Sequence, residues 1–190
     1  MHKRFTQIKG LSAVRRIPRL GRVRLGVKVK NKAGKEYPKE TPWFVVPPEV
    51  AKVYGDKPTE LDIMIPVEDT NVSFPQAYIY FGSSKGVKCT GDGEVAMRSL
   101  AFHAEYTGDK SVDSGSKELI EVPCTCALFE QGKCKQSGYF QVLLPKVSVG
   151  GVYAIVTSSY NSIVDLNSGI DYVRAMIGRV AMVPLKLKRE

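Results

Sequence analysis

Residues 139–178 read YFQVLLPKVSVGGVYAIVTSSYNSIVDLNSGIDYVRAMIG, and their reading decides the fold class. Two apolar runs, 139–147 and 152–157, are rich in β-branched and aromatic residues and flank Gly150-Gly151, which predicts a hairpin turning at the glycine pair. Ile163, Leu166, Ile170, Val173 and Ile177 then follow at spacings of 3, 4, 3 and 4, the period of an amphipathic helix. Ser159 or Asn161 suits its N-cap, and Gly178 suits the left-handed conformation that ends it. Hairpin strands joined to one main C-terminal helix make an α+β protein. A closing strand over 180–188 must lie at an edge or carry a bulge, because Pro184 has no N–H for a ladder.

Working outward to the N-terminal side, residues 22–30 alternate. Val23, Leu25, Val27 and Val29 fall on one face and Arg22, Arg24, Lys28 and Lys30 on the other, a half-buried strand with a basic outer face. Asn31, Ala33 and Gly34 supply a turn into a second extended segment, 37–46, that ends at Pro47-Pro48. Pro48 can open a short helix over 49–54 that Gly55 stops. Leu61, Ile63 and Ile65 mark another strand, with an acidic outer face. The aromatic run Phe74-Pro75-Gln76-Ala77-Tyr78-Ile79-Tyr80-Phe81-Gly82 suits either core packing or stacking on a partner, with packing the simpler reading. Residues 107–118 are polar and rich in glycine and serine, an exposed loop.

The chain has 190 residues, 43% hydrophobic and 25% charged, which is the composition of an ordinary globular protein folding as one domain. No apolar run is long enough to span a bilayer or to act as a signal peptide, so a cytoplasmic location is expected. The net charge of +9 is uneven: twelve Lys or Arg fall within residues 1–35, and no Asp or Glu precedes Glu36. A basic arm over residues 1–20 and the strand after it favour an acidic or phosphate-bearing partner, with Arg15, Arg16, Arg19, Arg22 and Arg24 as candidate contacts.

Cys89, Cys124, Cys126 and Cys134 are the only cysteines. In a reducing compartment four such residues favour metal over disulfides, and four thiolates suit one tetrahedral, structural zinc held in a subdomain over residues 86–138. Cys-Thr-Cys departs from the common Cys-x-x-Cys spacing. Unliganded thiols and a redox disulfide are the alternatives, and His103 is a substitute ligand. Enzyme signatures are absent: there are two histidines, His2 and His103, and no Walker loop, dinucleotide fingerprint or His-Glu-x-x-His helix. Gly91-Asp92-Gly93-Glu94 reads as a hairpin turn rather than a phosphate loop. Asp62, Glu68, Asp69 and Asp92 would bind a divalent cation only if the fold brought them together.

Several segments together carry a resemblance: Gly10-Leu11-Ser12, Arg15-Arg16-Ile17-Pro18-Arg19-Leu20-Gly21-Arg22-Val23-Arg24-Leu25-Gly26, Pro58-Thr59-Glu60-Leu61-Asp62-Ile63-Met64, Phe74-Pro75-Gln76 and Cys89-Thr90-Gly91-Asp92-Gly93-Glu94. They are similar to the phage recombination directionality factors that accompany large serine integrases, a family some of whose members are described as metal-binding proteins or hydrolases. The resemblance implies a non-enzymatic accessory that binds the integrase on attachment-site DNA and turns it towards excision, with no membrane or small-molecule substrate. It carries no catalytic residue onto this chain. The competing readings are a zinc-containing nucleic-acid-binding accessory and a metal-dependent hydrolase.

Overall fold

The alternation read at residues 22–30 holds only in its first half: Val23 is buried and Leu25 half-buried between exposed Arg22 and Arg24, whereas beyond Gly26 Val27 is exposed along with Lys28 and Lys30, in the computed structural model, which describes residues 17–31, 34, 36–82 and 86–189. In chain order the elements are β1 (Arg19–Lys30), β2 (Glu36–Val45), α1 (Pro48–Tyr54), β3 (Glu60–Ile63), α2 (Thr70–Ser73), β4 (Gln76–Tyr80), β5 (Cys89–Gly91) and β6 (Val95–Ser99). They continue with α3 (Leu100–Thr107), β7 (Leu119–Pro123), α4 (Ala127–Glu130), β8 (Lys135–Leu144), β9 (Ser148–Thr157), α5 (Tyr160–Ile177) and β10 (Leu185–Lys188).

Eight strands form one sheet in the order β2-β1-β9-β8-β4-β5-β6-β7, and β10 pairs with β3 in a second, two-stranded sheet. Every named pair is antiparallel except β1 with β9, where Arg22 lies beside Ala154 and Val23 beside Ile155. That parallel pair was not foreseen, because period-2 patterning carries no information about strand direction.

The β8–β9 hairpin turns at residues 145–147, not at Gly150-Gly151: Leu144 pairs with Ser148, and the Val147 N–H donates to the Leu144 carbonyl at 2.8 Å. Both glycines lie inside β9. Gly151 is required for close approach rather than for a turn, since a Cβ there would stand 2.5 Å from the Pro18 carbonyl oxygen. The same carbonyl accepts the Val152 N–H at 2.8 Å where the chain enters β1.

Helix α5 has the foreseen caps, with Ser159 Oγ accepting from the Ser162 N–H at 3.4 Å and Gly178 at φ 74°. Its inner residues Ile163, Leu166, Ile170 and Val173 pack on a core that includes Val23, Phe44, Ile63, Ile65, Phe140, Tyr153 and Ile155. Each such large apolar side chain contributes about 1.5–3 kcal/mol when fully buried. In the aromatic run, Phe74 is buried edge-on against Phe140 at 5.3 Å between ring centroids, Tyr78 meets Phe129 at 4.9 Å and Tyr80 meets Phe102 at 5.2 Å. These rings pack internally. The final strand is shorter than expected, because Pro184 ends the irregular stretch after Val180 and the ladder begins only at Leu185.

Candidate functional site

Two features carry chemistry, one at each end of the long sheet. At the β5–β7 end, Cys89 begins β5, Cys124 follows β7, Cys126 is the N-cap residue of α4, and Cys134 immediately precedes β8. None of the four is in a disulfide; Cys89 and Cys124 are buried together with Ala96 in a small cluster bordered by Tyr80, Val122 and Phe129. Gly91 makes room for them, since a Cβ there would meet Cys124 Sγ at 2.8 Å and the Val95 carbonyl at 2.7 Å. The Asp92-Gly93 segment is the hairpin turn expected of it: Asp92 Oδ1 accepts the N–H groups of Glu94 and Val95, both at 2.8 Å.

Arg98 of β6 is the residue that sequence reading missed. Its side chain is only 3% exposed and shares a face with Ala96, while Val95 and Met97 point outward. Arg98 Nη2 donates to Cys126 Sγ at 3.3 Å, and the guanidinium lies 5.0 Å from the Tyr106 ring and 5.9 Å from the Phe102 ring. Its Nε has no hydrogen-bond partner, and no carboxylate pairs with it among the described residues. Burial works against the charge on Arg98, but the sulfurs of Cys89 and Cys126 outweigh it and hold the group above its ordinary pKa.

The same neighbours act on the thiols. Burial pushes the Cys126 thiol up, yet the N–H groups of Phe129 and Leu128 and the Arg98 guanidinium bring it below the usual value. Cys134 is raised, first by burial and then by the charges of Cys126, Cys89 and Cys124. The fold therefore gathers four residues that lie up to 45 positions apart in the sequence. Among the described residues no three or more His, Cys, Asp or Glu side chains stand arranged as a metal-ligand group, and His103 lies on α3 with its Nδ1 unpartnered.

The carboxylates weighed as cation ligands are dispersed into structural roles. Asp62 pairs with Lys146 at 2.7 Å and with Lys186 at 3.4 Å, Asp69 caps α2 through the Asn71 N–H, and Asp92 closes the β5–β6 turn. Glu68 accepts from Arg174 Nε and from the backbone N–H groups of Val180 and Ala181, each at 2.9 Å.

At the opposite end of the sheet, β1 presents its basic face. Arg22 and Arg24 are exposed and carry no ion pair among the described residues, beside a shallow recess formed with Val45, Val46 and Pro47. Arg19 is exposed but engaged, its Nη1 donating to Tyr139 Oη at 2.7 Å, and Lys28 pairs with Glu36 at 3.6 Å. Arg15 and Arg16, together with most of the basic arm, lie outside the described residues. No helix among the described residues is long and apolar enough to cross a membrane.

A family model described as Gp3-like, recombination directionality factor-like, matches residues 20–190. The chain belongs to that family. No curated protein and no solved structure matches it. In this Gp3-like protein the matched region contains Arg22, Arg24, Arg98 and all four cysteines, whereas Arg15, Arg16 and Arg19 precede it.

Proposed function

We propose that this Gp3-like protein is a non-enzymatic regulator of site-specific recombination that binds a large serine integrase on attachment-site DNA and switches it towards prophage excision. The observation that carries this reading is the family match over residues 20–190. The exposed pair Arg22 and Arg24 supports it physically, since two neighbouring cations with no ion pair among the described residues suit an acidic integrase surface or the DNA phosphates beside it. The integrase performs the strand chemistry. The accessory works by differential affinity: it must hold the excision-competent arrangement more tightly than the alternative, because equal binding to both would shift nothing.

The test is recombination in vitro with a purified serine integrase from the same genome, on paired excision substrates and on paired integration substrates. Excision should appear only when the protein is added, and integration should fall at the same time. An integrase that is active on integration substrates and unchanged on both pairs by excess protein would rule the function out.

A further inference from the structure

We propose that the β1–β2 hairpin beyond Gly26 is a ribbon that enters the major groove of duplex DNA. Up to Val23 the first strand pairs with β9; from Arg24 onward it pairs only with β2, which is the edge of the sheet. The stretch from Gly26 to Lys30, laid against Glu40 to Glu36, therefore stands as two strands alone. No residue of this stretch is buried, and Val27 and Tyr37 are 38% and 46% exposed. A two-stranded ribbon is marginal in water unless something holds it. Arg189 does so at the base, where its Nε donates to the Thr41 carbonyl at 3.1 Å, its Nη2 donates to the Leu25 carbonyl at 3.2 Å, and the guanidinium pairs with Glu40.

Dimensions and charge identify the partner. Strands about 4.8 Å apart fit a major groove about 12 Å wide, and the rise from Gly26 to Lys30, about 13 Å, exceeds the groove depth of about 8.5 Å. The only carboxylates of the hairpin, Glu36 and Glu40, are both engaged, with Lys28 and Arg189 respectively. Arg22, Arg24, Lys30 and Lys39 carry no ion pair among the described residues. Alternation along β1 puts its arginines and lysines on one face, while Lys39 pairs with Val27 on the other. A protein surface meets one face of a ribbon, whereas a DNA groove presents phosphates along both walls. On the face of Lys39, Val27, Val29 and Tyr37 lie beyond the reach of the core, and their methyl and hydroxyl groups suit thymine methyls and base edges. This contact rests on the proposed function only in naming attachment-site DNA as its source; it is measured without integrase, so its failure leaves the recombination test standing.

The experiment is fluorescence anisotropy of the full-length protein with a labelled 20-base-pair duplex of mixed sequence, over a salt series. The wild type should bind at low salt and weaken steeply as salt rises. Lys28→Ala/Lys30→Ala/Lys39→Ala should bind about tenfold more weakly at low salt, and the slope of log affinity against log salt should fall by about 0.9 for each lysine that sits on a phosphate. Lys110→Ala/Lys117→Ala/Lys133→Ala removes the same charge from exposed positions at the other end of the sheet and should bind as the wild type does. Circular dichroism confirms that both variants fold. Methyl green, a major-groove ligand, should compete with the protein, and netropsin, a minor-groove ligand, should not. No binding by the wild type, or equal losses in the two triple variants, overturns the DNA contact. A ribbon variant that holds the duplex undiminished but loses affinity for purified integrase overturns it in favour of an acidic protein surface. Competition by netropsin alone overturns entry through the major groove.

Discussion

Glu68 joins two parts of the chain that lie more than 100 residues apart, holding Arg174 of α5 with one oxygen and the N–H groups of Val180 and Ala181 with the other. The Val180 and Ala181 N–H groups, followed by Arg174, bring its pKa from 4.5 down to about 2. A carboxylate depressed in the folded state adds stability that is fully present above its unfolded pKa and is lost as the pH falls through the folded value. Urea midpoints of the wild type and Glu68→Gln should therefore differ most at neutral pH and converge between pH 4.5 and about 2. A gap that stays constant across that window would show the ionised carboxylate to be irrelevant. Sequence reading identified Glu68 as a charged candidate without its task, since its three donors come from elements that only tertiary packing brings together. Arg98 was illegible for a related reason: in Val95-Ala96-Met97-Arg98 the alternation assigns the large apolar residues to the inner face, and the fold buries the other face instead.

At the scale of elements, the β1 strand was legible as such because its alternation is strict up to the bulge between Arg24 and Gly26. Gly26 stands at the end of that bulge, where a Cβ would run into the Lys39 carbonyl oxygen of β2. The basic face makes a direct prediction. Arg22→Ala/Arg24→Ala should fold normally, within about 0.5 kcal/mol of the wild type, because neither side chain is buried or in an ion pair among the described residues. Its affinity for DNA-bound integrase should fall about tenfold at low salt, about 1.4 kcal/mol, with the difference shrinking as salt screens the charges. Equal affinities at low salt, read by fluorescence anisotropy, would remove β1 from the interface. Helix α5 was the most legible element, since period, N-cap and C-terminal glycine all agree.

At the scale of the whole molecule, the parallel contact of β1 with β9 attaches the basic hairpin to the rest of the long sheet. Gly151 is the point of closest approach, so Gly151→Ala must push the chain at Pro18 away from β9. A loss of about 1–3 kcal/mol is expected in urea unfolding, the usual cost of forcing extra volume into a packed contact. Unchanged stability would mean that the entry to β1 yields freely. By itself the sequence determined the α+β class, most strand positions, the span of α5, the Asp92-Gly93 turn and the family resemblance, because these depend on local periodicity, turn chemistry and recognisable segments. Only the tertiary structure decided the direction of the β1–β9 pair, the place of the β8–β9 turn and the burial of Arg98 among the thiols. Those outcomes depend on which faces and backbones meet across long stretches of chain, and no residue's near neighbours in sequence encode that meeting.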